Sequence, residues 1–85
     1  MAERRLYDVR ESRRFTAQAS AVLGSFWAWE DIKGALDFAL ARDPLGFLRI
    51  TGTNLYAVQV STDPPHAVYF TVDAAREVVN LEAIF

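Results

Sequence analysis

The feature that most constrains this chain is a change of hydrophobic period at Asp43-Pro44. Before that dipeptide, apolar residues recur every three to four positions; well after it, they alternate. Phe15, Ala19, Val22 and Leu23 stand at i, i+4, i+7 and i+8, one face of a helix. Ser12 is placed to cap that helix and Gly24 to end it. Trp29, Ile32, Ala35, Leu36, Ala39 and Leu40 repeat the period, with Glu30, Lys33 and Asp37 on the other side. A second helix therefore starts after Ser25 and stops at Asp43, because a residue before proline is pushed out of the α region. Two helices joined at a glycine form an antiparallel hairpin.

The rest of the chain reads as strands. Residues 54–60 place Tyr56, Val58 and Val60 on one face, and residues 67–72 do the same with Val68, Phe70 and Val72. Residues 77–85 form a third strand, and residues 47–50 a shorter one. Short loops between them, one containing Pro64-Pro65, make the neighbours antiparallel. Residues 4–9 form an N-terminal strand in which Leu6 alternates with polar neighbours. The fold class is α+β: a strand, a two-helix antiparallel hairpin, then a three-stranded antiparallel meander, with the helices on one face of the sheet. A core truncated at Leu36 should open, since Phe15, Leu23, Ile32, Leu36 and Leu40 pack on Val58, Val68, Phe70 and Leu81 in this reading. With 85 residues the chain is one domain, residues 1–85.

Composition removes several function classes. There is no cysteine, which excludes a disulfide framework, a thiolate metal site and a cysteine nucleophile. One histidine, His66, excludes a multi-histidine metal site. Asp63, Asp73, Glu77 and Glu82 fit no metal-loop spacing, and the scattered glycines 24, 34, 46 and 52 make no phosphate-binding loop. No cofactor is expected. Ser61, His66 and Asp63 crowd one turn without a nucleophile elbow. Uncharged runs are too short for a membrane-spanning helix, and no apolar run follows the charged start, so no secretory signal is read there. A reducing cytoplasm is the expected compartment. Net charge is −2, with five arginines against three acids in residues 1–14 and four bases against eight acids in residues 15–85. Phosphate backbones need a basic face, so the chain is not a general polyanion binder.

The second half is similar to a known family. Leu55-Tyr56-Ala57-Val58-Gln59-Val60, a two-proline loop, then His66 to Asp73 ending in the aromatic–spacer–Val–Asp string Phe70-Thr71-Val72-Asp73, resembles paired strands of the RelE/ParE toxin superfamily of bacterial type II toxin–antitoxin systems. The helix ending Arg42-Asp43-Pro44 and the last strand Glu77 to Phe85 are in keeping with it. The resemblance implies a toxin neutralised by an antitoxin. Its ParE branch acts on DNA gyrase by protein binding; its RelE branch cuts messenger RNA on the ribosome with several basic residues. Here Ala67 stands where relatives often carry arginine, the sequence stops at Phe85 where relatives often continue into cations, and residues 43–85 hold Arg49 and Arg76 against five acids. The expectation is therefore ParE-like binding. The alternatives are a divergent RelE-like endonuclease and a degenerate, non-toxic member.

Six other positions, with His66, are the candidates. His66 is the one side chain whose ordinary pKa lies near neutrality, and it is either a passive loop-edge residue or a general acid–base with Arg49 or Arg76 as the stabilising cation. Trp27 and Trp29 diverge by about 200° on a helix, so either one packs inside while the other meets a partner, or both cap the core from different sides. Arg13 and Arg14 oppose the dipole at the start of the first helix, where they either meet a partner's carboxylates or are simply solvated. A homodimer through an exposed strand edge is the alternative to an antitoxin partner.

Overall fold

A computed structural model describes residues 6–85. Two serines and a glycine frame its helices. Ser12 Oγ accepts the Phe15 N–H at 3.1 Å and starts α1, Arg13–Leu23. Gly24, at φ 97°, closes α1 in the left-handed region where a Cβ is strained. Ser25 Oγ accepts the Ala28 N–H at 3.0 Å and starts α2, Phe26–Arg42, which Asp43 ends before a 3-10 turn at Pro44–Gly46. The strands are β1 Asp8–Glu11, β2 Leu48–Arg49, β3 Tyr56–Val60, β4 His66–Asp73 and β5 Val78–Ile84.

The sheet order is β1-β5-β4-β3-β2. The chain leaves β1, crosses one face as the helical hairpin, re-enters at the far edge as β2, and steps back strand by strand until β5 lies beside β1. β2 to β5 are antiparallel neighbours, as the alternating half of the sequence predicts, while β1 runs parallel to β5. The N-terminal strand lies later than expected. Positions 4 and 5 of the predicted segment fall outside the described residues, and the pairing runs from Asp8↔Val78 to Glu11↔Leu81. The reason is that Val9 and Glu11, in register with core positions Val79 and Leu81, point inward.

One face of the sheet is covered. Phe15 and Ala19 of α1 and Trp29, Leu36 and Leu40 of α2 form a single cluster with Val60, Val68, Phe70, Val79, Leu81 and Ile84. Leu23, Ile32 and Val58 pack against its edge, so the helix registers read from the period hold. β5 departs from simple alternation. Phe70 pairs with Leu81 but Tyr69 with Ala83, so Glu82 is an extra residue, a bulge. That one-residue insertion returns Ile84 to the core face, where it is fully buried opposite Val68.

Glu11 ties three elements together. Its Oε2 accepts the Trp29 indole Nε1–H at 3.0 Å and the Thr16 hydroxyl at 2.5 Å, and its Oε1 lies 3.5 Å from Lys33 Nζ. Lys33 also donates to Asp37 at 2.9 Å. Trp29 is 0% exposed and meets Phe15 edge-on at 5.2 Å. This corrects its candidacy as a partner contact: the indole N–H has an internal acceptor, so the whole ring can leave water.

Two outcomes follow for stability. Leu36→Ala should cost about 2–5 kcal/mol in urea unfolding, because the side chain sits among cluster residues that cannot collapse into its place. The pKa of Lys33 is raised from its ordinary 10.5, foremost by its hydrogen bond to Asp37, with the charges of Asp37 and Glu11 adding and partial burial opposing. A raised lysine stabilises the fold fully below pH 10.5 and loses that contribution as pH climbs through the higher folded value. The stability gap between wild type and Lys33→Met should therefore stay level from neutral pH to about pH 10 and narrow above it in pH-stepped denaturant melts.

Candidate functional site

The face of the sheet opposite the helices is built by the outward positions of the strands. Leu48 pairs with Ala57, Ala57 with Tyr69, Gln59 with Ala67, and Tyr69 with Ala83, which places these side chains on one surface. Phe85 joins them because its N–H and C=O bond the backbone of Ala67 at 3.0 and 2.9 Å. Phe85 stands edge-on to Tyr69, with ring centroids 6.0 Å apart. Leu48 is 73% and Phe85 69% exposed. Phe85 separates two hollows. One, of about 460 Å³, is lined by Leu48, Ala57, Gln59, His66 and Ala67 among others; the second, of about 250 Å³, by Ile50, Leu55, Tyr69, Ala83 and Glu82. The side of this face toward β2 and β3 is apolar, while its side toward β5 and β1 carries Thr71, Asn80, Glu82, Asp8 and Arg10. Large apolar side chains held on an uncovered sheet face are the ordinary mark of a protein-binding surface.

His66 begins β4 at the rim of the larger hollow. Thr62 Oγ1 lies 2.6 Å from His66 Nδ1 and donates to the Pro64 carbonyl at 2.7 Å. A hydroxyl has one proton, so with that proton on Pro64 O the Nδ1–H of His66 donates to Thr62. Among the described residues, Nε2 has no hydrogen-bond partner.

The two arginines read alongside His66 are not gathered around it. Arg76 lies in the turn after β4, its Nε 3.8 Å from Asp73, at the opposite end of an eight-residue strand. Seven residue steps of about 3.3 Å put those ends about 23 Å apart. Arg49 pairs with Tyr56, which pairs with Phe70, four residues along β4 from His66 and two strands across. Its Nε–H is spent on the Thr53 carbonyl at 3.1 Å. Among the described residues no group of three or more carboxylates or imidazoles is placed to hold a metal ion.

The remaining candidates fall elsewhere. Trp27 is 75% exposed at the start of α2, beside Phe26. Arg13 and Arg14 are exposed in the first turn of α1, and Arg14 lines a cleft of about 540 Å³ with Gln18, Glu82 and Phe85. The sheet-face residues Leu48, Tyr69, Ala57, Ala67 and Phe85 are not among the candidate site residues of the sequence reading. A signal for them existed: outward positions 48, 57, 67, 69 and 85 carry apolar or small residues where a solvated face would carry charge.

Comparison with solved structures agrees with this architecture. The chain superimposes on a chain of the toxin–antitoxin complex RelBE2 from Mycobacterium tuberculosis with a TM-score of 0.64 and 15% identity, over 93% of this chain and 95% of that one. It superimposes equally on the E. coli toxin RelE, a double arginine-to-alanine variant in the free state, with a TM-score of 0.64 and 18% identity over 93% of this chain and 81% of that one. No protein-family model and no curated protein sequence matches the chain. The arrangement of strand, helical hairpin and mixed five-stranded sheet is a RelE/ParE-like fold.

Proposed function

We propose that this chain is the toxin component of a bacterial type II toxin–antitoxin pair, that it acts by binding a protein target in the ParE manner, and that an antitoxin neutralises it. The fold likeness to the E. coli toxin RelE and to a chain of the RelBE2 toxin–antitoxin complex supports the first part. The observation that carries the binding mode is the apolar part of the open sheet face, where Leu48, Tyr69 and Phe85 lie around Ala57 and Ala67. RNA cleavage needs a base for the 2′-hydroxyl, an acid for the leaving oxygen and cations for the developing phosphorane charge. Here a single histidine faces both proton roles, Arg76 lies at the far end of β4, and residues 43–85 carry two arginines against five acids. A polyanionic substrate meets repulsion before any chemistry. DNA gyrase is the target class that this reading names, and Trp27 with Arg13 and Arg14 are secondary contacts for target or antitoxin.

One observation favours a second reading, a ribosome-dependent messenger RNA endonuclease. His66 lies at the rim of the open face with Nε2 unpartnered, oriented through Thr62. Regulated expression in bacteria separates the two. Growth arrest with altered DNA supercoiling and intact messenger RNA is the expected result, relieved when the product of the adjacent gene is co-expressed and co-purifies. Leu48→Glu should leave thermal unfolding unchanged and weaken capture of target and antitoxin about tenfold or more, since it places a charge in an apolar contact. Codon-specific cuts on programmed ribosomes that vanish in His66→Ala would overturn the binding mode in favour of cleavage. Growth without arrest at full expression would leave the degenerate, non-toxic reading standing instead.

A further inference from the structure

α1 is polar outside and apolar inside, but the outer side of α2 mixes charged residues with large exposed aromatic rings. Its inner stripe of Trp29, Leu36 and Leu40 is buried. Opposite it, Trp27, Asp31, Gly34, Phe38 and Arg42 fall at i, i+4, i+7, i+11 and i+15, an outward stripe, and Leu45 is exposed in the separate 3-10 turn that follows. Phe38 is 61% exposed, and Trp27 and Leu45 are also exposed. Large aromatic rings left exposed on a helix mark a contact surface, and nothing among the described residues covers this side.

The stripe is complementary to itself when reversed. We propose that α2 packs against α2 of a second copy of this chain, antiparallel, about a two-fold axis between Gly34 and Phe38. Under that operation residue n meets residue 72 − n on the partner to within one position. Phe38 then lies over Gly34 and Asp31 reaches Arg42, while Trp27 extends toward the partner's turn that holds Leu45. On the helix, positions 31 and 42 are separated by about 20° around the axis and positions 34 and 38 by about 40°, so each of these two pairs shares one edge of the contact.

Three observations select a second copy over other occupants. The acid lies toward the N-terminal end of the stripe and the base toward the C-terminal end, so an antiparallel copy forms two symmetric ion pairs, whereas a parallel copy puts like charges side by side. Neither Asp31 nor Arg42 has an ion-pair partner among the described residues. The Arg42 guanidinium stacks on its own Phe38 ring, 3.4 Å from the centroid, and donates to the Phe38 carbonyl at 3.1 Å, which holds ring and charge together on the outward side. Gly34 is the third. A Cβ built there meets nothing within 4 Å in the monomer, so the monomer has no packing need for glycine in mid-helix, where it costs stability. A partner ring lying over the helix backbone supplies the need. This contact is separate from the sheet face and does not depend on what that face binds; it shares Trp27 with the secondary contacts named above, so a second copy and a partner would compete for that ring.

Sedimentation equilibrium over a concentration series reads the proposal directly. One helix crossing is a small interface, so a weak, concentration-dependent dimer is expected. Gly34→Gln should raise the monomer's melting temperature and weaken the dimer about tenfold or more, an opposite pair of effects that a loss of folding cannot produce. Asp31→Arg and Arg42→Glu should each weaken the dimer about tenfold, and the double variant Asp31→Arg/Arg42→Glu should recover it. A monomer at every concentration overturns the proposal. So does a dimer indifferent to Gly34→Gln and to the single charge reversals, which would place the interface on the sheet face or a strand edge.

Discussion

The carboxylate of Glu11 is the point on which this structure turns. It sits at the end of β1, faces inward, and accepts from the Trp29 indole and the Thr16 hydroxyl while Lys33 stands nearby. A half-buried carboxylate is costly unless its lone pairs are filled, and here donors from both helices fill them. The same contacts therefore dock the helical hairpin against β1 and let a tryptophan be fully buried with its N–H satisfied. Removing that acceptor would leave a buried donor and a loosened edge strand together, which is why the site couples local order to the whole layer arrangement.

Covering one face of the sheet so completely leaves the other face bare. Five strands expose two surfaces, and two helices of 11 and 17 residues can cover only one. What stands on the bare side decides the chemistry available to the protein. Apolar residues there suit a protein surface; the separation of His66, Arg49 and Arg76 along and across the sheet does not suit phosphoryl chemistry. The fold likeness to the E. coli toxin RelE and to a chain of the RelBE2 complex thus combines with a face unlike a cationic RNA cradle, and the proposed ParE-like mode follows from that combination. The outward stripe of α2 is a second uncovered surface, physically distinct because it is helical.

Much of the fold was legible because it is local. The caps Ser12 and Ser25, the glycine stop at Gly24 and the break at Asp43-Pro44 are chain-neighbour effects, and each lies where the period places it. The meander of β3 to β5 follows from short loops. Less of the site was legible. Whether His66 meets Arg49 or Arg76 depends on register and strand order, which short-range pattern does not encode. Trp27 and Trp29 show the boundary well: the helix period placed Trp29 on the inner stripe, but only the tertiary structure supplied Glu11 as the acceptor that lets its indole be fully buried.

By itself, then, the sequence determined the class of each segment, the inner face of each helix and the exclusion of thiol, multi-histidine and phosphate-loop chemistry, because these rest on composition and on periods of 2 and 3.6 residues. The tertiary structure alone decided the parallel pairing of β1 with β5, the inward turn of Glu11, the bulge at Glu82 that returns Ile84 to the core, and where the uncovered face is apolar. The physical reason is range. Hydrogen bonds between strands 70 residues apart in the chain, and a carboxylate shared by two helices, are set by which surfaces meet after collapse, and no window of neighbouring residues contains that information.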